Sequence, residues 1–426
     1  MAESTAERVQ ADLDLPVRPQ PLGVFSLPAG LLLIPAGPDT EDVRAGLVEG
    51  RLPAEWPASL RAHELAHAGD FDGARDALIG DDPVTRYNRF VIDPDTEDVD
   101  RLRADLGEYA VLVDIVAFTL GRTDTPPELT GATGELEALA LAAQATHVLG
   151  EGDTDQALDL LTKAADLPIA RPLSGILLGS AAGVRKDALG PGPEVTATLQ
   201  RALKLLDGTD VRIGQSELHL TLALTLHELA GERGDLLTQA IKHYHSALQL
   251  VTSTEAPEMW AGAHANLATA YLTMPMTEAS DQLRLGVAVQ SLRKALTIYT
   301  AETHPERWAS CQLNLANALV YAPSTHQGDN LVEAVELYEA VLEVRDRASD
   351  PGGRARVLAN QGNVLAHLGM FDHAKAKLYE ARFIFEELLD GESVRAVRGV
   401  LDEIARQTAL TRTQDQDQER AEAGEA

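Results

Sequence analysis

The sequence predicts an all-α protein built from helix–turn–helix repeats, and three observations support this prediction. Short motifs recur along the chain at intervals of 48 and 46 residues. Within each copy the apolar residues recur at i, i+3, i+4 and i+7, the spacing of one face of an amphipathic helix. Aromatic residues are only 4% of the chain while Ala and Leu are abundant, which favours closely packed helices over sheets.

The first helix of each repeat is marked by a Pro at its start and an Asn near its middle. The string Pro-Glu-x-Trp-Ala occurs at 257–261 and again at 305–309. Each string is followed, after the same interval, by Asn-Leu-Ala, and a third copy starts at Pro351. We therefore expect Trp260 and Trp308 to occupy equivalent sites near the start of their helices.

The second helix of each repeat carries Ala-Ile-x-x-Tyr-x-x-Ala-Leu or a variant of it. Its copies begin at Ala240, Ala288, Ala334 and Ala374. The small Ala residues are expected where two helices approach closely. Repeats before residue 212 are more diverged, but the strings 65–74 and 365–374 match closely enough to predict the same helix–turn–helix junction.

These patterns divide the chain into four segments. Residues 1–50 are predicted to form an N-terminal cap with a disordered start, in which Pro and Gly around 16–35 are compatible with a small β-hairpin. Residues 51–130 are predicted to be a diverged helical region with one helix pair, and residues 131–406 to be the repeat array. Residues 407–426 are polar and acidic without apolar periodicity, which predicts a disordered tail.

The repeats resemble the tetratricopeptide repeat (TPR) family. The family pattern Leu-Gly-x-x-Tyr, followed by Gly, Ala, Tyr and Ala, is matched with substitutions, and residues 212–388 are similar to the long bacterial variety with repeats of 46–48 residues. The resemblance implies a right-handed superhelical solenoid of helix–turn–helix repeats whose first helices line a concave groove. It also implies that Asn at the recurring position binds the main chain of an extended peptide.

Charge and composition disfavour several classes of partner. The formal net charge is −30, which disfavours nucleic acid and anionic membranes and favours a basic partner, although acidity also keeps an apolar repeat protein soluble. Cys311 is the only cysteine, so an internal disulfide and a thiolate zinc site are excluded. The absence of a signal-like or membrane-spanning apolar run predicts a cytoplasmic protein, and the Ala- and Arg-rich composition indicates a bacterial source.

An H-E-x-x-H string is formed by His63, Glu64 and His67. On a helix such a string can bind zinc through both His residues, with the Glu as general base. The repeat alignment favours another interpretation, because His67 aligns with His367 ahead of the same Gly turn and no third ligand follows. We therefore predict that the string binds no zinc, that the chain uses no cofactor and that it is not an enzyme.

The recurring amides are the strongest candidate site. One Asn lies at the same place in three successive first helices, with a second Asn one turn later on the same face in two of them. Each amide offers both a donor and an acceptor to a peptide unit. The candidate groove residues, including two neighbours on the same face, are Asn266, Asn314, Asn317, Asn360, Asn363, Ser310 and Arg356. The alternative is that the Asn residues only pack between repeats.

The sequence thus predicts a scaffold or adaptor that binds a partner polypeptide in the groove of a TPR superhelix and serves the assembly or regulation of a bacterial complex. One alternative is a regulator that senses a peptide or a small ligand through a change in its superhelical pitch. A remote alternative is a zinc metallohydrolase that uses the string 63–67.

Overall fold

The computed structural model describes residues 15–231, 233–274, 281–322, 324 and 326–424, with side chains up to residue 410 except at residue 281. Within these ranges the regular structure is helical throughout, with 19 α-helices and no β-strand. The predicted all-α fold class is therefore confirmed. No helix in the described ranges is both long and apolar enough to cross a membrane.

Contacts divide the chain into two compact units, unit 1 (residues 1–251) and unit 2 (residues 252–426). The helices of unit 1 are α1 (Glu41–Val48), α2 (Arg61–His67), α3 (Phe71–Ala77), α4 (Pro83–Ile92), α5 (Val99–Asp105), α6 (Ala110–Thr119), α7 (Glu135–Gly150), α8 (Thr154–Ala165), α9 (Arg171–Leu189), α10 (Pro193–Leu205), α11 (Arg212–Ala230) and α12 (Gly234–Leu250). The helices of unit 2 are α13 (Pro257–Thr273), α14 (Asp281–Ala295), α15 (Pro305–Tyr321), α16 (Gln327–Val344), α17 (Pro351–His367), α18 (Phe371–Glu387) and α19 (Gly391–Gly424).

Each unit stacks helix pairs in chain order. In unit 1 the pairs α7/α8, α9/α10 and α11/α12 follow one another, and in unit 2 the pairs are α13/α14, α15/α16 and α17/α18. Each helix contacts chiefly its neighbours in the chain, and the first helices α13, α15 and α17 also contact one another in order. The predicted solenoid of helix–turn–helix repeats is therefore present within each unit.

The repeated residues occupy the places that their pattern predicts. Pro257, Pro305 and Pro351 each stand at the first position of a helix, where a missing backbone N–H is tolerated. Trp260 and Trp308 are both the fourth residue of their helices. On the second helices the small residues are fully buried, so neighbouring helices pack against them closely. These residues are Ala240, Ala288, Ala334 and Ala374.

The matching strings at 65–74 and 365–374 form the same junction, as predicted. The first helix ends at His67 in one copy and at His367 in the other. The Gly two residues later has a positive φ, +83° in the first copy and +75° in the second, and the next backbone N–H bonds the residue 65 or 365 carbonyl at 2.9 Å in both. This is a Gly-terminated helix end that satisfies the last carbonyl groups.

The N-terminal segment does not form the β-hairpin that its Pro and Gly residues suggest. It consists of turns and one short 3-10 helix, Ala29–Leu31, among the described residues from 15 to 35. The Leu33 backbone N–H donates to Asn88 Oδ1 at 2.7 Å, and the Leu33 carbonyl accepts from Asn88 Nδ2 at 2.8 Å. The Asn88 side chain of α4 therefore forms hydrogen bonds with the N–H and the carbonyl of Leu33, the two backbone groups that would otherwise pair with a second strand of a hairpin. The disordered start predicted before residue 15 lies outside the described residues.

The C-terminal segment also differs from expectation. The sequence predicts disorder from residue 407, whereas α19 continues to Gly424. Residues 411–424 are rich in Gln, Glu, Arg and Ala, all good helix formers, so their intrinsic propensity favours continuation of the helix. The remaining segment boundaries, 1–50, 51–130 and 131–406, stay predictions.

Candidate functional site

The predicted amide row lies on the first helices of unit 2. Asn266, Asn314 and Asn360 are half-buried on α13, α15 and α17 respectively. On the same helices Ser310 and Arg356 are exposed, four residues before the Asn of their own repeat. The row is therefore neither fully solvated nor sequestered in the core.

The amides of the row link one repeat to the next. Nδ2 of Asn360 on α17 donates to Oδ1 of Asn317 on α15 at 3.0 Å. In the preceding repeat, Nδ2 of Asn314 on α15 lies 3.4 Å from Oγ1 of Thr269 on α13 and donates to it. Thr269 occupies the place of Asn317 one repeat earlier, so the same bond recurs. The two bonds link α15 to α13 and α17 to α15 at matching positions of the repeats.

Asn317 connects three helices through hydrogen bonds to its side chain. Its Oδ1 also accepts a hydrogen bond of 2.6 Å from the hydroxyl of Tyr338, a residue of α16 that is only 1% exposed. One oxygen therefore joins α15, α16 and α17. Within the described residues, the side chains of Asn266 and Asn363 form no comparable bond.

The bonds between repeats leave part of the row available. Each amide has two donors and one acceptor oxygen. Asn314 and Asn360 each donate one amide hydrogen to the preceding repeat. Within the described residues, no group donates a hydrogen bond to the Oδ1 atom of either residue. A half-buried oxygen of this kind can accept from the backbone N–H of an extended segment. Contact with a guest peptide remains a prediction for all seven groove residues.

The first His of the H-E-x-x-H string is buried. Nε2 of His63 is 3.0 Å from the Leu33 carbonyl oxygen, which can only accept, so this nitrogen donates. Burial lowers the pKa of His63 to about 4, against a small opposing effect of the same backbone bond. The ring is thus neutral at pH 7 and fixes the N-terminal segment to α2.

The second His of the string packs among aromatic rings. The ring of His67 is 4.9 Å from that of Phe25 and 5.3 Å from that of Trp56, measured between centroids. Burial, and to a smaller degree the neighbouring His63, lower the pKa of His67 to about 4. Glu64 forms an ion pair with Arg61 at the surface. No group of three or more His, Cys, Asp or Glu side chains in the described part of the chain is arranged to hold a metal ion.

Cys311 is part of the core of unit 2. Its side chain is 3% exposed, and burial raises the pKa of its thiol to about 11. The thiol is therefore protonated at pH 7, which is typical of a structural cysteine rather than of a nucleophile.

Sequence reasoning missed a cleft in unit 1. It has a volume of about 350 Å³ and lies between the N-terminal segment 23–31 and residues of α6, α7, α9 and α11. Most of its wall is apolar, and Glu217 of α11 supplies the only carboxylate of its lining. No sequence signal identifies this cleft, because the segment and the helices that line it are far apart in the chain and show no shared motif.

No protein-family model matches the chain, and a search of curated proteins found no match. Solved structures with a similar arrangement include BtubC from P. vanneervenii, which is 19% identical, with 60% of this chain and 90% of that chain covered at a TM-score of 0.38. A Rap protein complexed with Competence and Sporulation Factor is 14% identical, with 83% and 98% covered at a TM-score of 0.39. The TPR2AB domain of yeast Sti1, in a complex with pHSP90, is 17% identical, with 63% and 98% covered at a TM-score of 0.25. Because these TM-scores are below 0.5, the fold described above rests on the helix pairs of the chain itself.

Proposed function

We propose that this chain is a non-enzymatic adaptor that binds an extended segment of a partner protein along the first helices of unit 2. The observation that carries the proposal is the repeated bond from one repeat to the next, Asn314 to Thr269 and Asn360 to Asn317. These two bonds fix the amides of Asn314 and Asn360 in matching ways, which supports a row of amide oxygens along successive first helices.

The chemistry of this face suits a main chain better than a particular side chain. A guest backbone N–H can donate to Oδ1 of Asn314 or Asn360, and a guest carbonyl can accept from a second amide hydrogen. Because such bonds do not depend on the guest sequence, they give affinity with little selectivity. The exposed side chains of Ser310 and Arg356 would supply selectivity at the edge of the face.

The net charge supports a basic partner. The whole chain has a net charge of −30, which attracts a positively charged segment over a long range and raises the rate of encounter with it. The same charge repels an acidic segment. Arg356 would favour guests that carry one carboxylate opposite its guanidinium group, because the two can form an ion pair while the rest of the guest is basic.

Site-specific photocrosslinking in the native cell tests the proposal. A photoreactive residue at position 310 or 356 should capture the same polypeptide, whereas the exposed control positions Glu336 on α16 and His373 on α18 should not. Equal capture from all four positions, or capture from the control positions alone, would contradict the proposed face.

The Asn row is tested with the captured polypeptide as ligand. A net hydrogen bond contributes about 0.5–1.5 kcal/mol, so the triple change of Asn266, Asn314 and Asn360 to Ala should weaken binding about tenfold or more. Circular dichroism should show that the variant remains folded. If the variant unfolds, or if it is folded and binds as tightly as the original chain, the row is structural.

A further inference from the structure

The cleft in unit 1 has a shape and chemistry of its own. Four helices contribute apolar side chains to its wall, among them Ile115 of α6, Leu139 of α7, Ile176 of α9 and Ile213 near the start of α11. Its volume of about 350 Å³ lies at the small end of the range of known ligand sites. It can therefore hold one or two apolar side chains and the short stretch of chain that carries them.

The segment 23–31 forms a fixed wall of this cleft. The Gly23 backbone N–H donates to the Gly30 carbonyl at 2.6 Å, which closes the segment into a loop. Gly23 has a φ of +70°, and a Cβ atom there would lie 2.6 Å from Cδ2 of Leu139. Leu31 is 5% exposed, whereas Leu27 is 53% exposed. The loop is thus packed against α7, and Leu27 offers apolar surface beside the cleft.

Glu217 is the single charged group of the lining. Its side chain is exposed enough to be reached, and within the described residues its carboxylate has neither an ion-pair partner nor a hydrogen-bond donor. The surrounding protein displaces water from the carboxylate and raises its pKa. A cation placed beside it would restore the lost solvation with a charge-assisted hydrogen bond.

We propose that this cleft binds a peptide segment of a partner in which a Lys or Arg is flanked by branched apolar side chains. The apolar side chains enter the space between α7, α9 and α11, and the cation pairs with Glu217. The site is in unit 1 and shares no residue with the amide row of unit 2, so the two proposals can fail separately.

A peptide partner is favoured over a small amine by the form of the cleft. The cleft is partly open to solvent and is bordered by Leu27, which is 53% exposed, so residues on either side of an inserted side chain can remain outside it. The acidity of the whole chain further favours a cationic guest.

Fluorescence anisotropy with the full chain tests the proposal. The probe is a fluorescein-labelled pool of the peptides Ser-Φ-Lys-Φ-Ser, in which Φ is Leu, Ile or Val. Replacing Lys by Glu should weaken binding about tenfold or more, and so should replacing both Φ residues by Ser. Glu217→Gln should abolish the preference for Lys over Glu, whereas Asp187→Asn, which removes an exposed carboxylate of α9 outside the cleft, should keep it.

A second variant separates binding from folding. Ala142 lies on the cleft wall and is half-buried, so Ala142→Phe should fill the space and abolish binding of the Lys pool while the circular dichroism spectrum is unchanged. The proposal is overturned if the Lys and Glu pools bind equally, or if Asp187→Asn acts like Glu217→Gln. It is also overturned if leucinamide competes as strongly as the peptide pool, because the site would then take small amines.

Discussion

Nδ2 of Asn360 donates to Oδ1 of Asn317 at 3.0 Å, and through this bond α17 is tied to α15 of the preceding repeat. The same oxygen accepts from the buried hydroxyl of Tyr338 at 2.6 Å. A residue that belongs by its spacing to a binding row therefore also satisfies a polar group of the core. Loss of Asn317 should affect folding more than loss of Asn314 or Asn360.

The Asn317 interaction can be measured with a double-mutant cycle. Asn317→Ala should lower the free energy of unfolding by about 1–3 kcal/mol, because it leaves the buried Tyr338 hydroxyl without an acceptor. Tyr338→Phe alone should cost about 0.5–1.5 kcal/mol, and the double variant should cost less than the sum of the two. In a Trp56→Phe background, urea unfolding followed by the fluorescence of Trp260 and Trp308 reports on unit 2. Strict additivity would show that the two side chains do not interact.

The buried Arg86 should be critical to unit 1. Its side chain is 2% exposed and pairs with Glu97, which is 6% exposed, at 3.1 Å, and with Asp105 at 2.7 Å. Arg86→Met should lower the free energy of unfolding by about 3–5 kcal/mol, because it leaves a buried carboxylate with less compensation. The control Arg75→Met removes ion pairs of a side chain that is 39% exposed and should cost less than about 1 kcal/mol. Equal costs in urea unfolding would show that burial of the pair has no energetic consequence.

The stability of unit 1 should fall between pH 7 and pH 5. The pKa of His63 is about 4 in the folded chain, against an ordinary value of 6.5, so the unfolded chain binds the proton more readily. The stabilisation is therefore complete above pH 6.5 and is lost as the pH falls towards 4. For His63 alone the loss at pH 5 is about 2 kcal/mol.

Urea unfolding at pH 7.5 and pH 5 checks this prediction. Trp56 is the only Trp of unit 1, so its fluorescence in a Trp260→Phe, Trp308→Phe background reports on this unit. His63→Gln can keep the donor to Leu33 without a titrating ring and should remove about 2 kcal/mol of the pH dependence. The control His367→Gln alters an exposed residue and should leave the pH dependence of unfolding unchanged. A pH dependence unaffected by His63→Gln would contradict the prediction.

The close approach of Gly23 to α7 should be sensitive to a single methyl group. Gly23 and Gly121 have similar φ values, +70° and +67°, but a Cβ atom at Gly121 meets nothing within 4 Å. Gly121→Ala should therefore cost about 1–2 kcal/mol from backbone strain alone. Gly23→Ala should cost about 1–3 kcal/mol more from the clash with Leu139. In urea unfolding, Leu139→Ala added to Gly23→Ala should recover part of this extra cost, and equal costs for the two Gly variants would rule out the clash.

Much of the fold could be predicted because the sequence patterns that specify its helices are local. Helix periodicity, Pro at the first position and Gly at the end of a helix act within a few residues, so the sequence by itself determined the helix pairs of unit 2, the equivalence of Trp260 and Trp308 and the shared junction at 65–74 and 365–374. The same periodicity predicts that the Asn row lies on one face of successive first helices, and this stays a prediction.

Only the tertiary structure decided what these polar groups bind. The sequence shows that Asn317 recurs but not that Tyr338 and Asn360 both donate to its Oδ1. It shows the string 63–67 but not that the Leu33 carbonyl accepts a hydrogen bond from Nε2 of His63. The Pro and Gly residues of the N-terminal segment are compatible with a hairpin because they favour local turns, whereas in the fold Asn88 of α4 bonds both backbone groups of Leu33. The cleft beside Glu217 likewise exists only once Gly23 meets Leu139. Hydrogen-bond partners and cavities are set by segments distant in the chain, and no local pattern encodes them.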